Sequence, residues 1–422
     1  MIKSIDKKMK ILLVFCSLGF VVNAGAQQLS LDEAYTLAKT NYPVIKKRDL
    51  IKQSTDYSLQ NAGKAYLPQV SINGQATYQS EVTRIPVTMP GVKEMSKDQY
   101  KLVGEVSQLL YDGGAVSAQR EILKANEAVQ LQNVEVAMQS VKERVTDMYF
   151  GILLMEEQLA QNKLRKESLN AALKKAEAAY ANGVSFKSNV NELKAEVLNV
   201  DMSATEIKAD QNAYKDMLSQ MIGRAVEEST VLIQPATLPD FNEINRPETK
   251  LYDLQKNIFD AQRKKLQSDW LPKISAFAQG GYGRPGLNML SDKFEPFAIG
   301  GIRFTFPLNN IYTWKNNLKI NEINQRQVDA DKETFLLNTN ATLKKQLRDQ
   351  QKYEALISED DKIIELREEI TKSARAQLDN NVITVSEFIN KLNTEHQARQ
   401  MKYLHQLQLL KAKYNFSNTS GY

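Results

Sequence analysis

The chain has 422 residues, 25 % of them charged, and a formal charge of +5 that falls to +2 once Lys3, Lys7, Lys8, Lys10 and Asp6 are set aside. No basic patch interleaved with aromatics remains, which excludes a nucleic-acid partner. The one cysteine, Cys16, lies in the N-terminal leader, so a mature chain has neither disulfide nor thiol chemistry.

Residues 1–26 read as a signal peptide. Lysines precede an apolar run from Ile11 to Val22, and Ala24-Gly25-Ala26 fits a cleavage site, giving a mature start at Gln27. The run is short for a membrane span of about 20 residues. Phe15 stands where a lipoprotein signal wants a small residue, which argues against lipidation. Met9 is an alternative start to Met1. No later segment holds 18 consecutive apolar residues, so only strands could enter a membrane.

Residues 27–222 form a first repeat. Ser30 is the expected N-cap of a helix over 29–65, with Glu33 as capping-box partner and Pro43 as a bend or interruption. Tyr66-Leu67-Pro68 then turns helix into strand, because Pro cannot donate to a helix and pushes its predecessor to extended geometry. Strands follow at 69–82, with Val70, Ile72, Ala76 and Tyr78 on one face, and at 98–111, with Leu102, Val106 and Leu110 on one face. Residues 83–97, with Pro86, Pro90 and Gly91, read as the loop between them.

After Asp112-Gly113-Gly114 a helix extends to about Asn182, with Gly151 its only glycine. Its heptad seam runs Val134, Met138, Val141, Val145, Met148, Ile152, Met155, Leu159 and, past Asn162 and Lys166, Leu169, Leu173, Ala176 and Tyr180. Such a helix is on the order of 100 Å long, far beyond a globular core. Gly183 marks a reversal. A return helix then carries Val190, Leu193, Val197 and Val200, with Gln211 interrupting the seam. The economical packing stacks the return helix and the 29–65 helix end to end beside the long one.

An irregular segment, 223–247, leads to a second repeat over 248–416 and a tail at 417–422. Trp270-Leu271-Pro272 repeats the helix-to-strand step, followed by strands at 273–282 and 294–306. A second long helix reaches Asp379 with a weaker seam at Leu356, Ile363 and Ile370. Asn380-Asn381-Val382-Ile383 stands where Asn182-Gly183-Val184-Ser185 stood, and a last helix runs to about Asn415. The fold class is mainly α with a small β part, written twice. Four strands cannot close a useful barrel, for which about eight are needed, and open edges would go unsatisfied in lipid. Three chains would supply about twelve strands, so a trimer is the simplest assembly.

The Leu29-Ser30-Leu31-Asp32-Glu33-Ala34 opening, the paired Leu-Pro steps, Leu110-Tyr111-Asp112-Gly113-Gly114 and Tyr180-Ala181-Asn182-Gly183-Val184-Ser185 together resemble the TolC family of outer-membrane efflux proteins. The resemblance implies a homotrimer: a twelve-stranded transmembrane β-barrel in outer-membrane lipid, continued by a coiled-coil-like α-barrel in the periplasm. It implies a passive exit duct for efflux or type I secretion, docked to a periplasmic adaptor and an inner-membrane transporter of RND, ABC or MFS class. The reversals would form the periplasmic tip that meets the adaptor, at Tyr180, Gly183, Val184 and Ser185 and at Leu378, Asn381, Val382 and Ile383. Leu378 and Asn381 depart from the family's Tyr and Gly; Asn tolerates the left-handed turn. Glu387 and Asn390 match positions where pore-facing acids occur. Three copies of Glu387 would make one cation-favouring ring whose pKa rises by mutual repulsion. The alternative is a solvated glutamate favoured by the helix dipole.

No constellation supports an enzyme, a cofactor or a metal site. His396 and His405, nine residues apart, do not share a face and read as structural or lumen-facing. Adjacent acids such as Asp360-Asp361 diverge, and Gly280-Gly281-Tyr282-Gly283 lacks the helix and lysine of a phosphate cradle. A secreted soluble coiled-coil scaffold or adhesin is the competing reading. The transported substrate leaves no mark in the sequence.

Overall fold

The computed structural model describes residues 28–83, 95–237, 243–380 and 382–422. The signal peptide, most of the 83–97 loop and Asn381 lie outside the described residues. In chain order the elements are β1 (Gln28–Leu29), α1 (Leu31–Asn41), α2 (Lys47–Gly63), β2 (Gln69–Tyr78), β3 (Asp98–Tyr111), α3 (Ala115–Ala181) and α4 (Lys187–Ile222). The second half contributes β4 (Val231–Leu232), α5 (Pro247–Ser268), β5 (Lys273–Arg284), β6 (Glu295–Thr305), α6 (Asn310–Asp379) and α7 (Val385–Ser420).

The two Leu-Pro steps act alike. Leu67 N–H donates to the Lys64 carbonyl and Leu271 N–H to the Ser268 carbonyl, closing a last tight turn before each strand begins. A second recurrence, Asn41-Tyr42-Pro43 and Asn245-Arg246-Pro247, ties each repeat to the end of its return helix. Asn41 Nδ2 donates to the Ile222 carbonyl at 2.7 Å, and Asn245 N–H to the Ser420 carbonyl at 2.6 Å. Pro43 interrupts the first helix as expected, opening a 3-10 turn at Pro43–Lys46.

The chain falls into two compact units. One comprises Pro43–Ser140, Phe241–Lys345 and Ser417–Tyr422. Its centre is an antiparallel sheet of order β2-β3-β5-β6. The register sets Val70 beside Val106 and Ala278, and Ala276 beside Ile302, so these residues, with Ile72, Leu102 and Phe304, share one face. That face is uncovered: Ile72 is 74 % and Phe304 72 % exposed. The opposite face carries Lys101, Glu105, Gln279 and Arg303. A register shift between Leu109 and Tyr111 brings Tyr111 opposite Ile274. The bulge thus adds Tyr111 to the apolar face at the strand end, which strict alternation had not anticipated. At the strand exit, Asp112 accepts from Gly114 N–H, Val116 N–H and the Tyr66 hydroxyl. Burial would raise its carboxyl, but these donors prevail and hold it below the usual range.

The expected tail at 417–422 is instead the last turn of α7, which continues to Ser420. The Asn418 carbonyl accepts from Gln139 and Arg246, so the turn is held rather than frayed.

The other unit comprises Met1–Tyr42, Val141–Asp240 and Gln346–Phe416. The α3 seam is its core: Val141, Val145, Met148 and Ile152 are buried, with Leu193, Val200 and Leu218 of α4. Asn162 sits buried in the seam and donates to Ser203 Oγ at 3.2 Å. Gly151 leaves room for Tyr214, whose ring would lie 2.8 Å from a Cβ there. The inter-repeat segment is partly ordered, with β4 pairing in parallel with β1. The buried Tyr149 hydroxyl donates to the carbonyls of both Leu29 and Ile233, locking that ladder onto α3.

The expected α6 seam behaves differently. Leu356, Ile363 and Ile370 are exposed, whereas α6 buries Asn321, Thr339, Gln350, Asp360, Thr371 and Ala374. The seven-residue apolar step is therefore an outward stripe, joined by Leu366.

Candidate functional site: the two helical reversals

Both reversals end a long helix by the same device. In the first, Val184 N–H donates to the Ala179 carbonyl at 2.9 Å and Gly183 N–H to the Tyr180 carbonyl at 3.0 Å. Gly183 takes the left-handed conformation at φ 73°, completing a Schellman cap. In the second, Val382 N–H donates to the Gln377 carbonyl at 2.8 Å, the equivalent six-to-one bond. Asn182 and Asn380 also match: each donates its Nδ2 to the carbonyl four residues back, Ala178 and Ala376 respectively.

The sites expected from sequence split into two groups. Leu378 and Ile383 pack inward, against a core built from Leu169, Leu193, Val200, Ala374, Val385, Phe388, Ile389 and Leu392. All four helices α3, α4, α6 and α7 contribute to that core, so the two hairpins are joined along their ends. Lys175 pairs with Asp379 at 2.6 Å beside it. Tyr180, Val184 and Val382 remain outside; Val184 is 67 % and Val382 70 % exposed. Ser185 Oγ accepts from Asn189 Nδ2 at 3.2 Å. Phe186, absent from the sequence-based set, is the most exposed large apolar side chain of this turn at 78 %.

Glu387 caps a helix. Thr384 N–H donates to Glu387 Oε2 at 2.8 Å, and Glu387 N–H returns to Thr384 Oγ1 at 3.2 Å. This capping box, legible as Thr384-Val385-Ser386-Glu387, draws the carboxyl below its ordinary range through the Thr384 backbone and side-chain hydrogen bonds. Asn390 is exposed on the same surface, while Phe388 and Ile389 point to the core.

Above the turns lies a polar cluster that sequence reasoning missed. Glu196 of α4 pairs with Arg165 of α3 and accepts from Asn393 Nδ2 of α7 at 3.2 Å. Buried His396 is nearby in charge terms. Burial first, then Arg165 and Arg399, hold its imidazole down to about 4, against the opposing pull of Glu395. His405 Nδ1 meets Asp360 Oδ2 at 2.6 Å. Among the described residues no group of three or more His, Cys, Asp or Glu side chains is arranged to hold a metal ion. None of the described helices is long and apolar enough to cross a membrane.

The family model "Outer membrane efflux protein" matches residues 34–224. Over that stretch, a little under half of the chain, the sequence is similar to the outer membrane efflux proteins. The fold agrees over nearly its full length. The structure of CusC, studied for its folding and transmembrane channel formation, is similar with a TM-score of 0.67 at 14 % identity, covering 93 % of this chain and 92 % of that one. The Campylobacter jejuni CmeC outer membrane channel gives 0.64 at 14 % identity, covering 93 % and 85 %. The open-state Neisseria gonorrhoeae MtrE outer membrane channel gives 0.63 at 14 %, covering 93 % and 88 %. No curated protein matches the sequence. The likeness to these outer membrane channels is one of fold.

Proposed function

We propose that three copies of this chain form one passive exit duct, opened when a periplasmic adaptor and an inner-membrane transporter dock at the helical reversals. The observation that carries it is the four-stranded sheet whose edges, β2 and β6, have no strand partner among the described residues over 10 and 11 residues. Backbone groups left open in hydrocarbon cost several kcal/mol each, so such a sheet must join others. Edge-to-edge closure of three copies gives a barrel of about twelve strands, its apolar face to lipid and its polar face to a lumen. The outward stripe of α6 would meet a neighbouring copy in the same assembly. A soluble scaffold would have no reason to expose Val70, Ile72, Ile302 and Phe304 together on one uncovered face.

The adaptor would contact Tyr180, Gly183, Val184 and Ser185 with the matching turn around Val382 and Ile383, where apolar side chains stand exposed. The deciding experiment is mass measurement in detergent followed by planar-bilayer recording of mature protein. A trimer with discrete small conductances supports the reading. A soluble species that never inserts would rule it out and leave the coiled-coil scaffold.

A further inference from the structure

On the polar face of the sheet, two phenylalanines stand directly opposite glycines. Phe297 of β6 pairs with Gly281 of β5, and Phe277 of β5 pairs with Gly301 of β6. The rings occupy the space a side chain would need: a Cβ on Gly281 would come within 2.4 Å of Phe297 Cζ, and one on Gly301 within 3.3 Å of Phe277 Cε1. A ring laid over a cross-strand glycine pins strand register. That accounts for the rings but not for what lies on them. Each carries a cation: Lys101 Nζ is 5.2 Å from the Phe297 centroid, and the Arg303 guanidinium 4.6 Å from that of Phe277.

The two tiers differ in charge. Arg303 pairs with Glu105 Oε1 at 3.0 Å, and Gln279 donates to Glu105 Oε2 at 2.7 Å, so the Phe277 tier is neutral. Lys101 makes no ion pair among the described residues; its partner is the Phe297 ring. The Phe297 tier thus combines an exposed ammonium with an aromatic surface. It lies four residues, about 13 Å, along β5 from the Phe277 tier.

We infer that Lys101 and Phe297 form a binding subsite for aromatic anions passing through the lumen. This rests on the lumen reading proposed above. A planar aromatic group stacks on or against Phe297, and its carboxylate or sulfonate pairs with Lys101. Three copies repeat the pair at one level around the pore. Walls of low dielectric strengthen the attraction there relative to open water. The charge complementarity selects an anion, and the ring selects an aromatic one.

The test uses the reconstituted trimer in a planar bilayer, with 1-naphthoate added on the side of the β2–β3 and β5–β6 loops. Wild-type current should be blocked reversibly. Lys101→Gln and Phe297→Leu should each raise the half-blocking concentration about tenfold or more. Lys273→Gln, another lysine on the same face, should leave it unchanged. Equal block by neutral 1-naphthalenemethanol, unaltered block in Lys101→Gln, or an equal loss in Lys273→Gln would overturn the subsite. If Phe297→Leu fails to insert, Lys101→Gln alone decides. A wild type that conducts but is never blocked removes this inference only; one that never conducts removes the channel reading with it.

Discussion

His396 is a histidine whose chemistry is set by packing. Its folded imidazole titrates at about 4, below the ordinary value of 6.5, because burial disfavours the cation and Arg165 and Arg399 repel it. Between those two values the unfolded chain binds a proton that the folded chain refuses. Stability is therefore full above about 6.5 and is lost as pH falls toward 4. We expect His396→Leu to flatten the acid limb: its thermal midpoint should drop less than wild type's between pH 7 and pH 4.5. Parallel curves for the two proteins would assign the acid sensitivity elsewhere. Nothing in the sequence marks this residue. A lone histidine nine positions from another reads as structural; Arg399 stands three residues along its own helix, and only the packing of α3 against α7 brings Arg165 to it.

At the scale of elements, the two helix ends and the sheet make separate demands. Gly183 has no heavy atom within 4 Å of where a Cβ would stand, so a side chain there clashes with nothing. The positive φ is the whole constraint, and a β-branched residue meets it at about 1–2 kcal/mol. Gly183→Val should loosen the turn and weaken adaptor crosslinking or gating while trimers still form. Export and crosslinking equal to wild type would show that this turn is not the contact. The strands respond to charge instead. Ile302→Arg or Val106→Arg on the apolar face should cost barrel insertion about 2–4 kcal/mol near the midplane. Urea titration of protein folded into vesicles would read the loss, and a tolerated arginine would mean that this face does not meet lipid.

Strand existence and facing were legible because alternation of period two survives in Val70, Ile72, Ala76 and Tyr78. Strand limits were less so. β2 stops at Tyr78 rather than 82, β5 runs on to Arg284, and the bulge before Tyr111 shifts register. Ends depend on the partner strand available, which alternation does not encode. The capping box at Thr384 was plainly written in the sequence, yet it gave Glu387 a local task that the resemblance to pore acids does not mention.

For the whole molecule, Glu387 poses the question of what three copies do together. Capping engages Oε2, and Asn390 beside it carries no charge, so a trimer would hold one carboxylate ring. Glu387→Ala should lower cation preference in single-channel recordings, seen as a smaller reversal potential under a salt gradient. A reversal potential unchanged from wild type would leave Glu387 as a helix cap alone.

The sequence by itself determined the duplicated plan, the long helices, the strand-turn steps at Pro68 and Pro272 and the left-handed stop at Gly183. Each of these follows from local backbone chemistry or from a periodicity contained in one stretch of chain. Tertiary structure alone decided that Leu356, Ile363 and Ile370 face outward, that Asn162 and Gln350 are buried, and that Lys101 and Arg303 differ in charge environment. A heptad pattern says that a helix has an apolar seam, not which neighbour fills it. Likewise a lysine and an arginine on the same sheet face look equivalent until pairing between distant strands places Glu105 beside one of them.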